Sequence, residues 1–205
     1  AYGDKISFLK NIIGLWLIQE SKRQWEREGK SYSFSELEIL AKNSKPFKCF
    51  IDPDDSVFVP AGNIPARIRE YCIKTNQEIP KTEGEIVRCI NESLALKYRH
   101  SLEEIKDCTN KKYKTMYMVG GGIQSKLLCQ MTSNACNIDV SAGPVEATVL
   151  GNIVVQLMAT NEIKDLKEAR KIIKNSQDIN YYYPVDSKAW EEKYEIFKKI
   201  IKQRR

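Results

Sequence analysis

The chain has 205 residues, of which 42% are hydrophobic and 29% are charged, and its formal net charge is +6. This composition excludes wholesale disorder and supplies one good-sized hydrophobic core, but hardly a second full domain. The basic residues are interleaved with acidic ones, whereas a DNA-binding domain usually concentrates them on one face. Nucleic acid is therefore not an expected partner.

The six cysteines and the single histidine show none of the spacings that are typical of a metal site. No stretch is long and apolar enough to span a bilayer, and residues 1–7 do not resemble a signal peptide. We therefore expect a cytoplasmic protein without a membrane partner, in which most cysteines are reduced and buried.

Helical spacing of apolar residues predicts a first helix from Phe8 to about Arg27. Ser33 and Glu36 form the pattern of a capping box, which predicts a short second helix. Prolines and aspartates then punctuate residues 45–63, and they indicate an extended loop that runs over the surface.

A third helix is predicted over residues 65–75, because a proline suits the first helical turn. Thr82 and Glu85 form a second capping box, and the helix that it opens is expected to end near Cys108. His100 lies off the apolar stripe of this helix and is expected to be exposed. That stripe comprises Ile86, Ile90, Leu94, Tyr98, Leu102 and Ile105.

The second half of the chain alternates between strand and helix patterns. This order predicts an α/β unit with a parallel pair of strands. Two more helices follow, so we expect a helix-rich α/β protein with a small, partly parallel sheet. The predicted strands are 115–119, which is expected to be buried, and 138–141. The predicted helices are 123–136, 145–159, 162–174 and 187–203.

Three consecutive glycines, Gly120, Gly121 and Gly122, separate the first predicted strand from its helix. Without Cβ atoms the backbone can approach a ligand closely, and the following helix presents free N–H groups and a positive dipole end. This arrangement suits a nucleotide. It also suits a tight turn with close helix–strand packing, and the spacing alone leaves both interpretations open because it matches neither a Walker A loop nor G-x-G-x-x-G.

A second pattern places Ala147 and Gly151 four residues apart on one helix face, which indicates close packing against a neighbouring element. The pattern by itself gives no catalytic role to Glu146 or Thr148.

These residues resemble the C-terminal domain of the FGGY carbohydrate kinases, and within that family they are most similar to the rhamnulokinase branch. The resemblance extends over nearly the whole chain. The segments that carry it are Phe8–Glu20, Ser93–Tyr98, Val119–Gln130, Asn134–Cys136, Ala142–Thr148 and Gly151–Ile153.

The resemblance implies an actin-like, ribonuclease H-like fold with ATP and sugar in a cleft between two domains. It implies transfer of the γ-phosphoryl group of ATP, with Mg²⁺, to a hydroxyl of a ketose, which in this branch is L-rhamnulose. Residues 1–205 would then form the nucleotide-binding C-terminal domain, truncated at its N-terminus, and the sugar-binding and catalytic N-terminal domain would be absent.

Site residues carry over from the family position by position. Gly121, flanked by Gly120 and Gly122, would lie against the nucleotide, and Gln19 falls on an ATP-contact position. Ser125 stands where family members often carry Asn, so its shorter side chain weakens the expected adenosine contact.

Asn11 falls on a sugar-contact position of the family, at the expected cleft end of the first helix. The catalytic aspartate of the family lies in the other domain. We therefore expect no catalytic residue and no metal ligand in this chain, and no sugar phosphorylation by the chain alone. The oligomeric state stays undefined.

Cys72 and Cys89 align with a cysteine pair that some members of the branch contain. They fall on successive predicted helices and are expected to lie close together. In a reducing compartment, two reduced thiols are favoured over a disulfide.

Two other functions stay open. The chain could belong to a kinase for another sugar, such as xylulose, fuculose or autoinducer-2. It could also be a non-catalytic module that binds nucleotide as a sensor or as an oligomerisation partner.

Overall fold

The computed structural model describes residues 8–202, which form eight helices and three short strands. The expectations for residues 1–7, and for a last helix ending at Gln203, lie outside the described residues. The helices are α1 (Trp16–Arg27), α2 (Phe34–Asn43), α3 (Ile64–Lys74), α4 (Glu83–Thr109), α5 (Lys126–Cys136), α6 (Ala147–Ala159), α7 (Leu166–Ser176) and α8 (Ser187–Lys202). The strands are β1 (Thr115–Met118), β2 (Asp139–Ala142) and β3 (Asn180–Tyr182).

The sheet has the order β1-β2-β3, and its first two strands are parallel, as predicted. Thr115 pairs with Asp139 and Met118 with Ala142. The sequence did not predict β3, which runs antiparallel to β2. This strand has only three residues, and its conformation follows from the hydrogen bonds to β2 rather than from a local pattern.

Both predicted capping boxes are confirmed. The hydroxyl of Ser33 accepts a hydrogen bond from the backbone N–H of Glu36 at 3.1 Å, and Glu36 accepts one from the Ser33 N–H at 2.7 Å. Thr82 and Glu85 make the same reciprocal pair at the start of α4, at 3.2 and 3.3 Å. A cap of this kind contributes about 1 kcal/mol to helix stability.

The first helix begins eight residues later than predicted, at Trp16. The backbone N–H of Ile13 donates to Asp54 Oδ1 at 2.9 Å, so it is not available for a helical hydrogen bond. The segment before α1 is held by a distant carboxylate instead. Asn11 therefore precedes the helix and is exposed.

The predicted loop at residues 45–63 has little regular structure, but the expectation that it runs over the surface is wrong. Phe50 and Ile51 are buried in the core, and Phe58 in a short 3₁₀ turn (Ser56–Phe58) is buried as well. Asp52 of this loop also forms an ion pair with Lys97 of α4.

Two further expectations about α4 and the sheet are corrected. His100 is half-buried rather than exposed, and its Nδ1 lies 3.1 Å from the hydroxyl of Tyr194 on α8. Strand β1 is only half-buried, because the side chain of Tyr117 is 75% exposed. The helix predicted from residue 162 begins at Leu166, where Asp165 caps it.

The main core lies between α1, α2, α3 and α4, and a second cluster joins α8 to α4 and α5. Helix α6 packs mainly on α7 in a small separate cluster. A Cβ atom added at Gly151 of α6 would meet nothing within 4 Å. The close packing predicted for the face of Ala147 and Gly151 is therefore not found among the described residues.

None of the helices between residues 8 and 202 has the length and apolar character that a bilayer crossing requires.

Burial of Glu92 makes the stability of the folded chain depend on pH. Its carboxylate accepts hydrogen bonds from Arg88 Nε at 2.7 Å and from the Phe47 N–H at 2.9 Å. Burial nevertheless raises the pKa of Glu92 to about 7, against the opposing effect of Arg88. The folded protein thus keeps a proton that the unfolded chain releases near its ordinary pKa of 4.5.

The stabilising contribution of this proton is complete below the unfolded pKa and is lost as pH rises through about 7. We expect the free energy of unfolding to fall between about pH 5 and about pH 8 more steeply in the native chain than in Glu92→Gln. Urea denaturation at both pH values measures this difference, and parallel pH profiles would contradict the prediction.

Candidate functional site

A cavity of about 960 Å³ opens between α1, α2, α4 and the loop that follows β1. Its volume falls in the range of small-molecule and cofactor sites. Four residues predicted to bind nucleotide line it together: Gln19, Gly121, Gly122 and Ser125. They come from two segments about a hundred positions apart, which the fold joins at one wall.

The glycine loop has a backbone that only glycine adopts readily. Gly120 has φ 81° and ψ −172°, and residues Gly121–Gln124 then form a short 3₁₀ turn. The loop lies where the carboxyl ends of the two parallel strands meet. There the Gly143 N–H donates to the Met118 carbonyl at 2.9 Å, and the Gly120 N–H donates to the Pro144 carbonyl at 3.3 Å. In open α/β sheets this edge is the usual ligand-binding edge.

Helix α5 begins at Lys126 rather than at the predicted residue 123, because Ser125 caps it. The hydroxyl of Ser125 accepts from the Leu128 N–H at 3.2 Å, and Glu38 of α2 accepts from the Leu127 N–H at 3.0 Å. Two of the N–H groups that this helix was expected to present to a ligand are therefore already paired within the protein. A carboxylate already occupies the positive end of the helix.

The structure separates the expected sugar contact from the expected nucleotide contacts. Gln19 lies on α1 and lines the cavity, whereas Asn11 lies in the segment before α1 and is not among the residues that line it. Gly120 also does not line the cavity directly, and its positive φ shapes the turn that brings Gly121 to the wall.

Several polar residues of the cavity were not predicted from the sequence. Glu38 and Lys42 project from α2, one turn apart, and Gln124 and Lys126 follow the glycine loop. Asn91 lies on α4, beside the apolar stripe that the sequence predicts. For Asn91, the only signal in the sequence was a polar residue next to Ile90 of the apolar stripe. The residues of α2 gave no signal, because the approach of α2 to the glycine loop is a tertiary contact.

An ion-pair network anchors the segment that precedes α1. Lys97 Nζ lies 2.7 Å from Asp52 Oδ1 and 3.0 Å from Asp54 Oδ2, and Asp54 in turn accepts the Ile13 N–H. Burial by itself would lower the pKa of Lys97, but its hydrogen bonds to Asp52 and Asp54 raise that pKa above its ordinary value. Lys97 is therefore a buried cation that ties α4 to both the loop and the entry to α1.

The predicted proximity of Cys72 and Cys89 is confirmed, and Cys49 joins them in the main core. All three carry free thiols. Hydrogen bonds to Cys49 and Cys72, together with burial, raise the pKa of Cys89 well above its ordinary value. Its thiol is therefore protonated at neutral pH.

Between residues 8 and 202, no group of three or more His, Cys, Asp or Glu side chains is placed to hold a metal ion.

Comparison with known proteins agrees with this architecture. Residues 1–160 match the family described as the FGGY family of carbohydrate kinases, C-terminal domain. The rhamnulokinase of Bacteroides thetaiotaomicron is 40% identical over 197 residues, which cover 96% of this chain and 40% of that protein. The rhamnulokinase of Bacillus subtilis is 41% identical over 181 residues, covering 88% of this chain and 37% of that protein.

Solved structures show the same fold. The crystal structure of xylulose kinase from Rhodospirillum rubrum superposes with a TM-score of 0.59 at 15% identity, covering 91% of this chain and 37% of that one. The fold is thus the actin-like fold of sugar kinases, with many helices and a small mixed sheet.

The chain belongs to the FGGY family of carbohydrate kinases and corresponds to its C-terminal domain. Its relatives of about 40% identity are rhamnulokinases, and it spans about 40% of their length.

Proposed function

We propose that this chain supplies the ATP-binding part of a kinase that converts L-rhamnulose to L-rhamnulose 1-phosphate. The observation that carries the proposal is the cavity beside the glycine loop, where Gln19, Gly121 and Ser125 meet. The identity of about 40% to proteins named rhamnulokinase supports the choice of sugar.

Each predicted residue has a defined part in this proposal. Gly121 and Gly122 leave room for the nucleotide at the cavity wall, and Gln19 contacts it from α1. Ser125 keeps its O–H as a donor for the ligand, because its oxygen only accepts the helix N–H. Asn11, exposed before α1, contacts the sugar from outside the cavity.

The remaining chemistry comes from outside residues 1–205. Phosphoryl transfer depends on positioning, charge stabilisation and a carboxylate that receives the proton of the sugar hydroxyl. We assign that carboxylate to the N-terminal domain that the longer relatives contain, and Mg²⁺ to the phosphates of ATP. The proposal includes a cytoplasmic location, which keeps the buried thiols reduced.

A kinase assay tests the proposal. Sugar phosphate is measured with L-rhamnulose and Mg-ATP for the chain alone and for a chimera that joins it to the N-terminal part of the B. thetaiotaomicron relative. We expect turnover only in the chimera. Turnover by the chain alone would refute the assignment of the carboxylate to the other domain.

A panel of other ketoses with the same chimera tests the sugar. Faster phosphorylation of xylulose or fuculose would replace L-rhamnulose in the proposal. If the chain binds ATP and a folded chimera phosphorylates no ketose, a non-catalytic nucleotide-binding module becomes the better description.

Gly120 and Gly121 provide a matched pair of variants for the nucleotide site. Gly121 has no heavy atom within 4 Å of an added Cβ, so the first carbon of a side chain has room in the fold, and Gly121→Val extends that side chain into the space proposed for the ligand. We expect it to weaken ATP binding about ten-fold or more. The free energy of unfolding should change by less than about 0.5 kcal/mol.

Gly120→Ala should behave differently, because φ 81° with ψ −172° strains any residue with a side chain. We expect a loss of about 1–3 kcal/mol in stability. Isothermal titration with ATP and urea denaturation separate the two effects. Undiminished ATP affinity in Gly121→Val would place the nucleotide elsewhere.

A further inference from the structure

The segment that carries Asn11 has no regular structure of its own. None of residues 8–14 belongs to a helix or a strand, and the side chain of Asn11 is exposed. The position of Asn11 therefore follows from the contacts of its neighbours in the chain. Those contacts matter for a substrate-binding residue, because a displacement of about 1 Å at a substrate contact can lower a rate about a hundred-fold.

Asp54 holds this segment at Ile13. The backbone N–H of Ile13 donates to Asp54 Oδ1 at 2.9 Å, and Asp54 Oδ2 lies 3.0 Å from Lys97 Nζ. Lys97 Nζ also lies 2.7 Å from Asp52 Oδ1, and the Lys97 side chain is only 8% exposed. A hydrogen bond to an ionised acceptor is roughly twice as strong as one between neutral groups. The acceptor of the Ile13 N–H is thus itself fixed by a buried cation on α4.

The other contacts of the segment are weaker or less directional. Lys10 forms an ion pair with Glu104 of α4, but the two side chains are 37% and 46% exposed, and such pairs contribute little. The isoleucines that follow Asn11 pack on the main core, and apolar packing does not fix the direction of the backbone. The hydrogen bond from Ile13 to Asp54 therefore determines where the backbone runs two residues after Asn11.

The next two residues are held by α1 instead. Gly14 and Leu15 line the cavity, and their carbonyls accept hydrogen bonds from the N–H groups of Leu17 at 3.4 Å and Ile18 at 3.0 Å. Gln19 lies further along the same helix. Loosening of the segment before α1 should therefore stop at Gly14 and leave the nucleotide side of the site in place.

We propose that Asp54 is a positioning residue for the sugar, because by accepting the hydrogen bond of the Ile13 N–H it places Asn11 for contact with L-rhamnulose. The inference rests on the proposed function, in which Asn11 contacts the sugar, and it adds the residue through which α4 controls that contact. Asp54 acts through the backbone. It touches neither substrate and takes no part in proton transfer.

The experiment uses the chimera of this chain with the N-terminal part of the B. thetaiotaomicron relative. Steady-state kinetics gives separate KM values for L-rhamnulose and ATP in the native chimera, Asp54→Ala and Asp54→Asn. We expect Asp54→Ala to raise the KM for L-rhamnulose about ten-fold and to change the KM for ATP less than about two-fold. Asparagine keeps an oxygen acceptor for the Ile13 N–H, so Asp54→Asn should raise the sugar KM only about three-fold or less.

Two further variants separate positioning from a loss of stability. Glu103→Ala removes a carboxylate of α4 that pairs with Arg99 rather than with the segment, so both KM values should stay within about two-fold of native. In chimeras that carry Asn11→Ala, Asp54→Ala should have no additional effect on the sugar KM, because the residue through which it acts is gone. Asp54→Glu provides the same test if Asp54→Ala does not fold, since it keeps a carboxylate for Lys97 but shifts the acceptor by one methylene group.

An unchanged sugar KM in a folded Asp54→Ala or Asp54→Glu chimera would overturn the inference. A parallel rise of both KM values would also overturn it, because it would show a general loosening of the site. Both results leave the proposed kinase standing. A native chimera that phosphorylates no sugar would instead refute the proposed function, and the inference with it.

Discussion

Lys97→Met is expected to destabilise the chain by about 3–5 kcal/mol. The Lys97 side chain is 8% exposed and lies 2.7 Å from Asp52 Oδ1, whose side chain is 5% exposed. Methionine fills a similar volume but leaves two neighbouring carboxylates without that cation. Removing one partner of a buried ion pair lowers stability far more than replacing both partners by apolar residues.

The expected loss is measured as the shift in the midpoint of urea unfolding. Lys198→Met is the matched control, because the ion pair of Lys198 with Glu195 is much more accessible to solvent, at 33% and 58% for the two side chains. Exposed pairs contribute about 0–1 kcal/mol. Similar midpoints for the two variants would show that the buried network does not stabilise the fold.

The same variant tests how the entry to α1 is held. Asp54 contacts both Lys97 and the Ile13 N–H, so loss of the cation should loosen the segment before α1. Amide exchange at Ile13 should be faster in Lys97→Met than in the native chain, while exchange at Leu17 of α1 should change less. Unchanged exchange at Ile13 would show that the segment is held independently of Lys97.

Gly84→Ala is expected to destabilise the chain by about 1–3 kcal/mol, although alanine favours helices more than glycine does. A Cβ atom at position 84 would lie 2.6 Å from the Leu40 carbonyl oxygen and 2.7 Å from Ser44 Oγ. The nearest of these atoms belongs to the backbone of α2, so the two helices must separate. One turn further along α4, Arg88 donates to the carbonyls of Ala41 and Ser44 at 3.1 and 2.9 Å, and separation would strain these bonds.

Gly151→Ala in α6 is the matched control, because the added Cβ meets nothing within 4 Å. There the helix propensity of alanine should act alone and stabilise the chain by about 0.5–1 kcal/mol. Thermal unfolding should therefore give shifts of opposite sign for the two substitutions. Two stabilising shifts would mean that α2 and α4 accommodate the methyl group without cost. Because α2 carries Glu38 and Leu37 to the cavity, Gly84→Ala should also weaken nucleotide binding.

Local signals in the sequence predicted those parts of the fold that short-range interactions determine. The capping boxes at Ser33 and Thr82 join atoms three residues apart, so the pattern itself contains both partners. The order of strand, glycine loop, helix and strand likewise predicted the parallel pair. The motifs around Gly121 and Ala142 were sufficient to indicate the family, which the match over residues 1–160 confirms.

The tertiary structure decided whatever depends on partners far apart in the chain. Asp54 delays the start of the first helix by binding the N–H of Ile13, 41 positions away, and Glu38 binds the start of α5 from 89 positions away. Strand β3 forms because its backbone pairs with the edge of β2. No local pattern encodes such contacts, because they contribute to stability only after distant elements of the chain have packed together.

The candidate site divides in the same way. The sequence by itself predicted that a glycine loop follows a strand and, through the family resemblance, that Gly121 and Gln19 contact a nucleotide. Only the packing of α1, α2 and α4 decided that these residues face one cavity, that Gly84 permits the close approach of α2, and that Asn91 is buried at the cavity wall. The physical reason is that a cavity is a property of several packed elements, whereas a sequence pattern reports one element at a time.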